Sequence, residues 1–372
     1  MFDVIVVGGN LAGASAAISA ASRDLKVALI ERNKKPFSPA HCGEAIDMQT
    51  LKWFNLYDLN YLKNPIKEII INVEFKKIKL KYKNPAILVI DRNFIENGLL
   101  KRAKKHGVKM ILGNNMKDFK SPNKIVLADN KMIEGKIIID SSGIACHVGK
   151  KIGLFTKLRQ EDIGVLVQSR IESNFNKETM KFWFHKPYAP LGYAYLFPLN
   201  NKIANIGVGI MGGQKFDLNK ALNEYIKNSI STKYKILSTF RSCVPLAPPL
   251  KKLYKDNVMI TGDAARLVTS TTGSGIRNAL ISGKLSGIVA AKYINKEIES
   301  LEIYQKSLNK KLKNLDRIYN KKRKMENEKE FVETYTKNFS IINLLDRLIP
   351  YPIQKLFSKI SQSDKLIFEN LN

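Results

Sequence analysis

Two glycine-marked turns, far apart in the chain, carry the residue types of a nucleotide site. The first is Gly8-Gly9-Asn10-Leu11-Ala12-Gly13, with Glu31 eighteen residues after Gly13 and Arg32 beside it. In a turn of this kind Gly8 permits a sharp exit from a strand, and Gly13 lets the next helix pack closely on the sheet. The free N–H groups at the helix start, with Gly9, Asn10 and Ala12 around them, point at a pyrophosphate and are aided by the helix dipole. Glu31 is spaced to accept hydrogen bonds from the adenosine ribose, and an acid there disfavours a 2′-phosphate and hence NADP. Asn10 stands where G-x-G-x-x-G has its middle glycine; it tolerates a left-handed turn, and its amide can donate to phosphate. The unit alone does not separate NAD from FAD.

The second turn separates them. Gly262-Asp263 closes a short strand, and Gly273-Ser274-Gly275 leads into Ile276 and a helix rich in small residues. A dehydrogenase that binds only NAD has no use for this second motif. A flavoenzyme does: the aspartate bonds a ribityl hydroxyl, the glycines admit the ring, and the positive helix end stabilises charge on the reduced flavin. A capped turn before a surface helix is the plain alternative; the pairing with Gly8–Gly13 puts FAD ahead of it. A third cluster, Cys42-Gly43-Glu44, offers a thiol and a carboxyl as candidates for proton handling. The bland readings are a buried, inert thiol and a loop-fixing acid. His41 and His185 read as surface or hydrogen-bonding residues.

The elements that position these groups follow from pattern. Residues 2–8 (FDVIVVG) and 26–30 are short apolar runs, the signature of strands buried on both faces of a parallel sheet, with a helix over 14–22 between them. Strands over 66–73, 77–82 and 86–90 read as a β-rich insertion. Asp91 caps an amphipathic helix with Phe94, Ile95, Leu99, Leu100 and Ala103 on one side. A strand over 108–112 and a hairpin of 124–127 with 132–139 return the chain to Asp140-Ser141-Ser142-Gly143. Strands over 165–171, 178–184, 192–197 and 203–211 form an antiparallel meander that holds the concentrated aromatics, Phe182, Trp183, Phe184, Tyr188, Tyr193, Tyr195 and Phe197. Helices are expected over 219–230 and 276–294. The fold class is therefore α/β: a Rossmann-like cofactor-binding domain from 1–160 and 250–295, discontinuous and with its insertion near 62–90. An antiparallel-sheet substrate domain spans 161–249, and a Lys-rich helical region spans 296–372. An amphipathic stripe over 341–360 reads as a docking helix for the protein's own core, with a membrane-facing lid as the sharper alternative.

The chain has 372 residues and a formal charge of +29. Lys, Asn and Ile are used heavily throughout, so part of that charge is compositional. No helix-turn-helix, zinc-finger or RNA-binding signature accompanies it, which sets nucleic acid aside and favours an anionic membrane surface. Three cysteines without metal spacing, no signal peptide and no run long enough to span a membrane predict a reduced, cytoplasmic protein, peripheral at most to the inner face of the cell membrane. No metal site is expected.

Seven stretches, VVGGNLAGASAA (6–17), HCGEAI (41–46), DRNFIENGLLKRAKKHGV (91–108), IIDSSG (138–143), APLGYAYLFP (189–198), ANIGVGI (204–210) and GDAARLVTSTTGSGI (262–276), occur in the order found in the geranylgeranyl reductase family. The chain resembles that family of FAD enzymes, within the p-hydroxybenzoate-hydroxylase-like flavoproteins, and especially the archaeal reductases that saturate membrane-lipid isoprenoids. The resemblance implies that Gly8, Gly13 and Glu31 hold the ADP half of FAD and that Arg92 contacts the pyrophosphate region. It also implies that Gly262, Asp263, Gly273, Ser274 and Gly275 line the flavin half. Cys42, Gly43 and Glu44 would then sit beside the flavin, with Tyr193, Tyr195, Phe197 and Trp183 around the substrate chain. Tyr195 stands where the family has Trp, the Pro frequent before Thr272 is absent, and the C-terminal portion is short and Lys-rich. The implied substrate is a polyprenyl lipid. The implied electron donor is external: ferredoxin, NAD(P)H or a deazaflavin, since no second nicotinamide fingerprint is present. A flavin monooxygenase or halogenase of the same fold is the alternative enzyme. A membrane-surface flavoprotein without reductase activity is the alternative from another class.

Overall fold

A computed structural model of the chain describes residues 1–34, 42–56, 63–85, 87–120, 122–348, 364 and 367–368, with 339–348 taken as helix backbone only. Five parallel strands form the first sheet, in spatial order Lys109–Leu112, Val27–Glu31, Phe2–Val7, Met132–Asp140 and Val258–Ile260. In chain order this is 3-2-1-4-5, the doubly wound arrangement whose crevice opens beyond the C-terminal ends of strands 1 and 4. Phe2–Val7 sits at the centre, with Val4, Ile5 and Val6 fully buried, which is why its sequence is apolar without alternation. Tyr254–Lys255 adds a short antiparallel edge. The expected hairpin is present as Lys124–Leu127 with Met132–Asp140, extended by Met116–Lys120.

Helices Leu11–Ala21 and Ile276–Ile294 pack side by side on this sheet, nearly backbone to backbone. A methyl at Gly283 would lie 2.1 Å from the Ala12 carbonyl oxygen, and one at Gly287 would lie 2.3 Å from that of Ala16. The small residues are therefore a packing requirement. Because Gly283 matches Ala12 and Gly287 matches Ala16, the helices run parallel, and the second starts about 9 Å beyond the first at 1.5 Å per residue.

The second sheet has seven strands, in order Lys235–Pro245, Ile163–Glu172, Ile203–Met211, Ala189–Pro198, Thr179–His185, Glu68–Val73 and Lys76–Lys81. Its neighbours are antiparallel except Thr179–His185 with Glu68–Val73. The stretch read as an insertion in the cofactor domain is thus divided. Glu68–Val73 and Lys76–Lys81 extend the second sheet, while Ala45–Asp47, Lys63–Pro65 and Ile87–Ile90 form a small sheet of their own. Strand Lys235–Pro245 was not expected. It is an edge strand with Lys235, Thr239, Arg241 and Cys243 in solvent, so its sequence lacks an apolar face to reveal it.

Helix Leu218–Ser229 covers one face of the second sheet, burying Leu222, Tyr225 and Ile226 against it. Helix Glu328–Leu348 lies over the other face, where Phe331 and Tyr335 join its core. The preceding helix, Glu302–Lys324, is anchored through Lys322, which is fully buried. Its Nζ donates to the Asp162 carboxylate at 2.8 Å and to the Glu161 carbonyl at 2.7 Å. The amphipathic stripe expected over 341–360 falls partly in helix Glu328–Leu348 and partly outside the described residues. Among the described residues no helix is long and apolar enough to cross a membrane.

Candidate active site

The crevice is built first by the Gly8 turn. Gly8 has φ +102°, and a methyl there would lie 2.5 Å from the Ser141 carbonyl oxygen; a methyl at Gly13 would lie 1.8 Å from the Gly8 oxygen. Ser141, at the end of the neighbouring strand, donates its hydroxyl to the carbonyls of Val7 and Gly8, both at 2.8 Å. Glu31 Oε2 accepts the Gly9 N–H at 2.9 Å, which fixes the carboxylate at the strand end. Arg32 is exposed and stays outside this arrangement.

Asn10 has an identifiable job. It caps helix Leu11–Ala21: its Oδ1 accepts the N–H groups of Ala12 (3.0 Å) and Gly13 (3.2 Å), and its Nδ2 donates to the Ser141 carbonyl at 2.5 Å. The residue that breaks the glycine fingerprint therefore ties the helix start to the adjacent strand.

The second turn meets the first. A methyl at Gly262 (φ +61°) would lie 2.9 Å from Ala12 Cβ, and Thr261 N–H donates to the Asp140 carbonyl at 2.9 Å. Asp263 is half-buried, and among the described residues its carboxylate has no hydrogen-bond donor. Burial raises its pKa, with Arg92 opposing. Helix Ile276–Ile294 begins at Gly275 without a side-chain cap. A bare carboxylate and an uncapped helix N-terminus, about 9 Å beyond a capped one, fit an extended dinucleotide with hydroxyls at its middle and a polar ring edge at its end.

Beside this lies the Cys42-Gly43-Glu44 loop. Glu44 is fully buried with φ +67°. Its Oε1 accepts the Arg92 N–H at 3.1 Å; its Oε2 accepts Asn205 Nδ2 at 2.6 Å and the Arg170 guanidinium. Burial raises the Glu44 pKa, and Arg170, Asn205 and Arg92 oppose that rise. The Arg92 side chain itself forks onto buried Glu96, at 2.7 and 2.9 Å. Burial works against the Arg92 charge, but Glu96 and then Cys42 more than offset it, so its pKa is raised. Cys42 is half-buried; its sulfur accepts the Glu44 N–H at 3.2 Å. His41 lies outside the described residues, and His185 is buried with Nδ1 accepting the Leu191 N–H at 3.3 Å.

The aromatic wall stands opposite. Tyr193, Tyr195 and Phe197 project from one face of strand Ala189–Pro198, and Phe182 and Phe184 project beside them from Thr179–His185. Gly43 lies against the wall: a methyl there would sit 2.8 Å from the Phe197 ring. The Tyr193 hydroxyl donates to the Thr272 carbonyl at 2.6 Å, which links the wall to the turn before the uncapped helix. Burial, with Cys42 adding, pushes Tyr193 up to about 12. Tyr195, which donates to Gln168, is raised further, by burial first and then by Tyr193 and Cys42. Both phenols therefore keep their protons at neutral pH.

Trp183 is a correction. Expected among the pocket residues, it lies on the opposite face, edge-on to Tyr188 at 5.3 Å with its indole N–H on the Lys186 carbonyl. Successive residues of a strand alternate faces, so Phe182 and Phe184 take the positions assigned to it. Alternation would have found them. Helix Glu328–Leu348 completes the enclosure. Tyr335 packs on Phe184 at 4.4 Å and donates to the Thr271 carbonyl at 2.7 Å, and Phe331 stacks between Tyr335 and His185. Spacing of i, i+4 on one helix was their only sequence signal. Arg170 and Asn205 gave none, because cross-strand register brings them together.

Comparison with known proteins agrees with this geometry. The chain is 28% identical over 321 residues, 82% of its length and 79% of the relative's, to digeranylgeranylglycerophospholipid reductase 2 of Methanococcoides burtonii. The resemblance read from the sequence is thereby shown. Its fold matches a geranylgeranyl bacteriochlorophyll reductase-like protein of Thermoplasma acidophilum with a TM-score of 0.82, at 24% identity, covering 96% of this chain and 98% of that one. A flavin-dependent brominase shares the fold at a TM-score of 0.70 and 14% identity, covering 98% and 93%. The expected α/β flavoprotein fold is present. The family model described as lycopene cyclase protein matches residues 3–363, and the chain belongs to that family.

Proposed function

We propose that the chain is an FAD-dependent reductase that hydrogenates the C=C bonds of geranylgeranyl chains on archaeal-type ether lipids. The observation that carries this reading is the wall of Phe182, Phe184, Tyr193, Tyr195 and Phe197, bonded through Tyr193 to the turn before an uncapped helix. Gly8, Gly9, Ala12, Gly13 and Glu31 hold the ADP half of the cofactor, at a helix start that Asn10 caps and ties to the next strand. Asp263, Gly273, Ser274, Gly275 and Ile276 hold the flavin half, with Gly262 giving the close approach and the Arg92 charge near the pyrophosphate. FAD, once reduced, supplies the hydride that an isolated alkene requires.

The remaining work falls to the chain. An aromatic wall without charges, closed by Phe331 and Tyr335, excludes water and holds a polyprenyl segment by apolar contact. Alkene reduction also needs a proton on the second carbon. Glu44 takes three hydrogen bonds and braces its loop, while Cys42, half-buried on the same loop with its sulfur on the Glu44 N–H, is the group we assign to proton delivery. The reducing equivalents come from outside, from ferredoxin, NAD(P)H or a deazaflavin.

The test is anaerobic incubation of chemically reduced protein with unsaturated diether phospholipid, followed by mass spectrometry. Gain of one H2 per double bond is expected. In a parallel incubation supplied with oxygen and halide, oxygen incorporation or halogenation with the double bonds intact would move the assignment to the alternative suggested by the brominase fold. Cys42→Ser is expected to keep FAD and lower turnover roughly 10²-fold; unchanged turnover would remove Cys42 from the proton path.

A further inference from the structure

We propose that the hairpin tip Glu74-Phe75, with Lys76, Lys77 and the neighbouring cleft at Lys186 and Lys215, seats the protein on an anionic lipid bilayer at the outer end of the aromatic wall. The proposal rests on the lipid-reductase reading and adds where the lipid is met. Strands Glu68–Val73 and Lys76–Lys81 pair with Val73 opposite Lys76, so Glu74 and Phe75 form a two-residue tip. Phe75 is 101% exposed, beyond any other large apolar side chain described. Strand Lys76–Lys81 turns Ile78 and Leu80 inward and leaves Lys77, Lys79 and Lys81 in solvent. Lys76, Lys77, Lys79, Lys81 and Lys83 have no acidic partner among the described residues, whereas Lys67 and Lys186 do.

The tip lies beside the wall. Val73 is the register partner of Phe184, which places Phe75 next to the His185-Lys186 turn, and the Glu74 charge is felt by His185. At that turn an open cleft of about 640 Å³ is lined by Pro187, Pro190, Gln214 and Phe216, by Lys186 with its ion-pair partner Glu328, and by Lys215. The adjoining lid residue Phe331 packs on His185. A solvated phenyl ring among unpaired lysines is costly to leave in water. It is stabilised where the ring enters the acyl boundary and the ammonium groups remain at phosphate level.

An acidic protein would satisfy the lysines but gives no reason for a fully exposed Phe. The molecule also contains its own control. Helix Glu302–Lys324 carries Lys306, Lys310, Lys313, Arg317, Lys321 and Lys324 on one exposed face, with no exposed large apolar residue among them.

Co-sedimentation of the full chain with equimolar phosphatidylglycerol–phosphatidylcholine vesicles tests the proposal. The triple variant Phe75→Ser, Lys76→Gln, Lys77→Gln is expected to bind at least roughly thirtyfold more weakly, about fivefold for each lysine near the surface, with loss of the ring adding to that. Lys310→Gln with Lys313→Gln is expected to change binding much less. Phe75→Trp is expected to shift its emission to the blue on these vesicles and not on pure phosphatidylcholine. Wild-type sedimentation of the triple variant, absence of the shift, or a larger loss in the helix variant would each overturn the proposal. So would loss of self-association or of acidic-protein binding in place of vesicle binding. With detergent-dispersed substrate the triple variant should turn over like the wild type, and with vesicle-embedded substrate it should not. If wild type reduces neither substrate while the vesicle pattern holds, the reductase reading fails and the docking surface stands.

Discussion

Helices Leu11–Ala21 and Ile276–Ile294 start at glycine turns and run parallel on the same sheet, with their N-termini at one crevice. The first is closed by its own chain, since Asn10 occupies the N–H groups of Ala12 and Gly13. The second starts at Gly275 with nothing on its terminal N–H groups from a side chain. Two carboxylates of the site, buried Glu44 and half-buried Asp263, repeat the contrast. Glu44 receives donors on both oxygens, and Asp263 receives none from the described residues. Groups satisfied internally set the shape of the crevice. Groups left open are those a ligand can meet without breaking a bond inside the chain, such as the first N–H groups of a helix and a half-buried carboxylate. On the proposed reading the nucleotide end is thus rigid by itself, and the ring end is left to be completed.

The largest effect should follow from breaking the rigid end. A side chain at Gly13 would run into the Gly8 carbonyl oxygen at 1.8 Å, and backbone cannot yield there without moving the central strand. Gly13→Val should cost at least about 3 kcal/mol in urea denaturation and abolish flavin retention. A stable, yellow Gly13→Val protein would show that the first turn is not the fixed end. Next is Gly275→Ser, which supplies the missing cap. It should weaken flavin binding roughly tenfold, about 1.4 kcal/mol, while raising the stability of the cofactor-free protein by a few tenths of a kcal/mol. Unchanged affinity, read by fluorescence titration of the cofactor-free protein, would mean that the open terminus is not where the ring edge binds.

These tests rest on features of unequal visibility in the sequence. The first turn was legible because strand, glycines, helix and Glu31 are all local and each has one geometric purpose. The brace around Glu44 was not, since its donors come from Arg92, Arg170 and Asn205 on three separate elements. Trp183 shows a different limit. The strand was recognised but its phase was not, and a shift of one residue exchanges the two faces of a sheet. The lid helix needed the tertiary structure, because Phe331 and Tyr335 look like any half-apolar helix face until Phe184 is placed against them.

Protons sharpen the contrast between the two carboxylates. Burial raises the Glu44 pKa above its ordinary 4.5 in spite of Arg170 and Asn205. The folded state therefore holds this proton more tightly than the unfolded chain does. That contribution to stability is full at low pH and is lost as pH climbs from the ordinary glutamate value through the raised one. Glu44→Gln cannot ionise, so the stability difference between wild type and variant should move against the wild type across that window. Subtracting the two curves removes the part of Glu96's parallel rise that comes from burial; the part that the Glu44 charge adds stays in the difference and has the same sign. A flat difference would show that Arg170 compensates the charge fully, and Glu44 would then be an ordinary ion pair.

The smallest effects belong to Asn10, where they separate two jobs. Asn10→Ser keeps an N-cap oxygen but loses the bond to the Ser141 carbonyl, so it should cost about 1 kcal/mol and leave flavin affinity unchanged. Asn10→Gly loses both. The cap itself should cost only a few tenths of a kcal/mol more, and the freed N–H groups of Ala12 and Gly13 should then donate to the pyrophosphate and tighten binding several-fold. Weaker binding in Asn10→Gly would reverse the assignment, because the amide would then be donating to phosphate in the bound state. In that case the first helix, like the second, would be finished by its ligand.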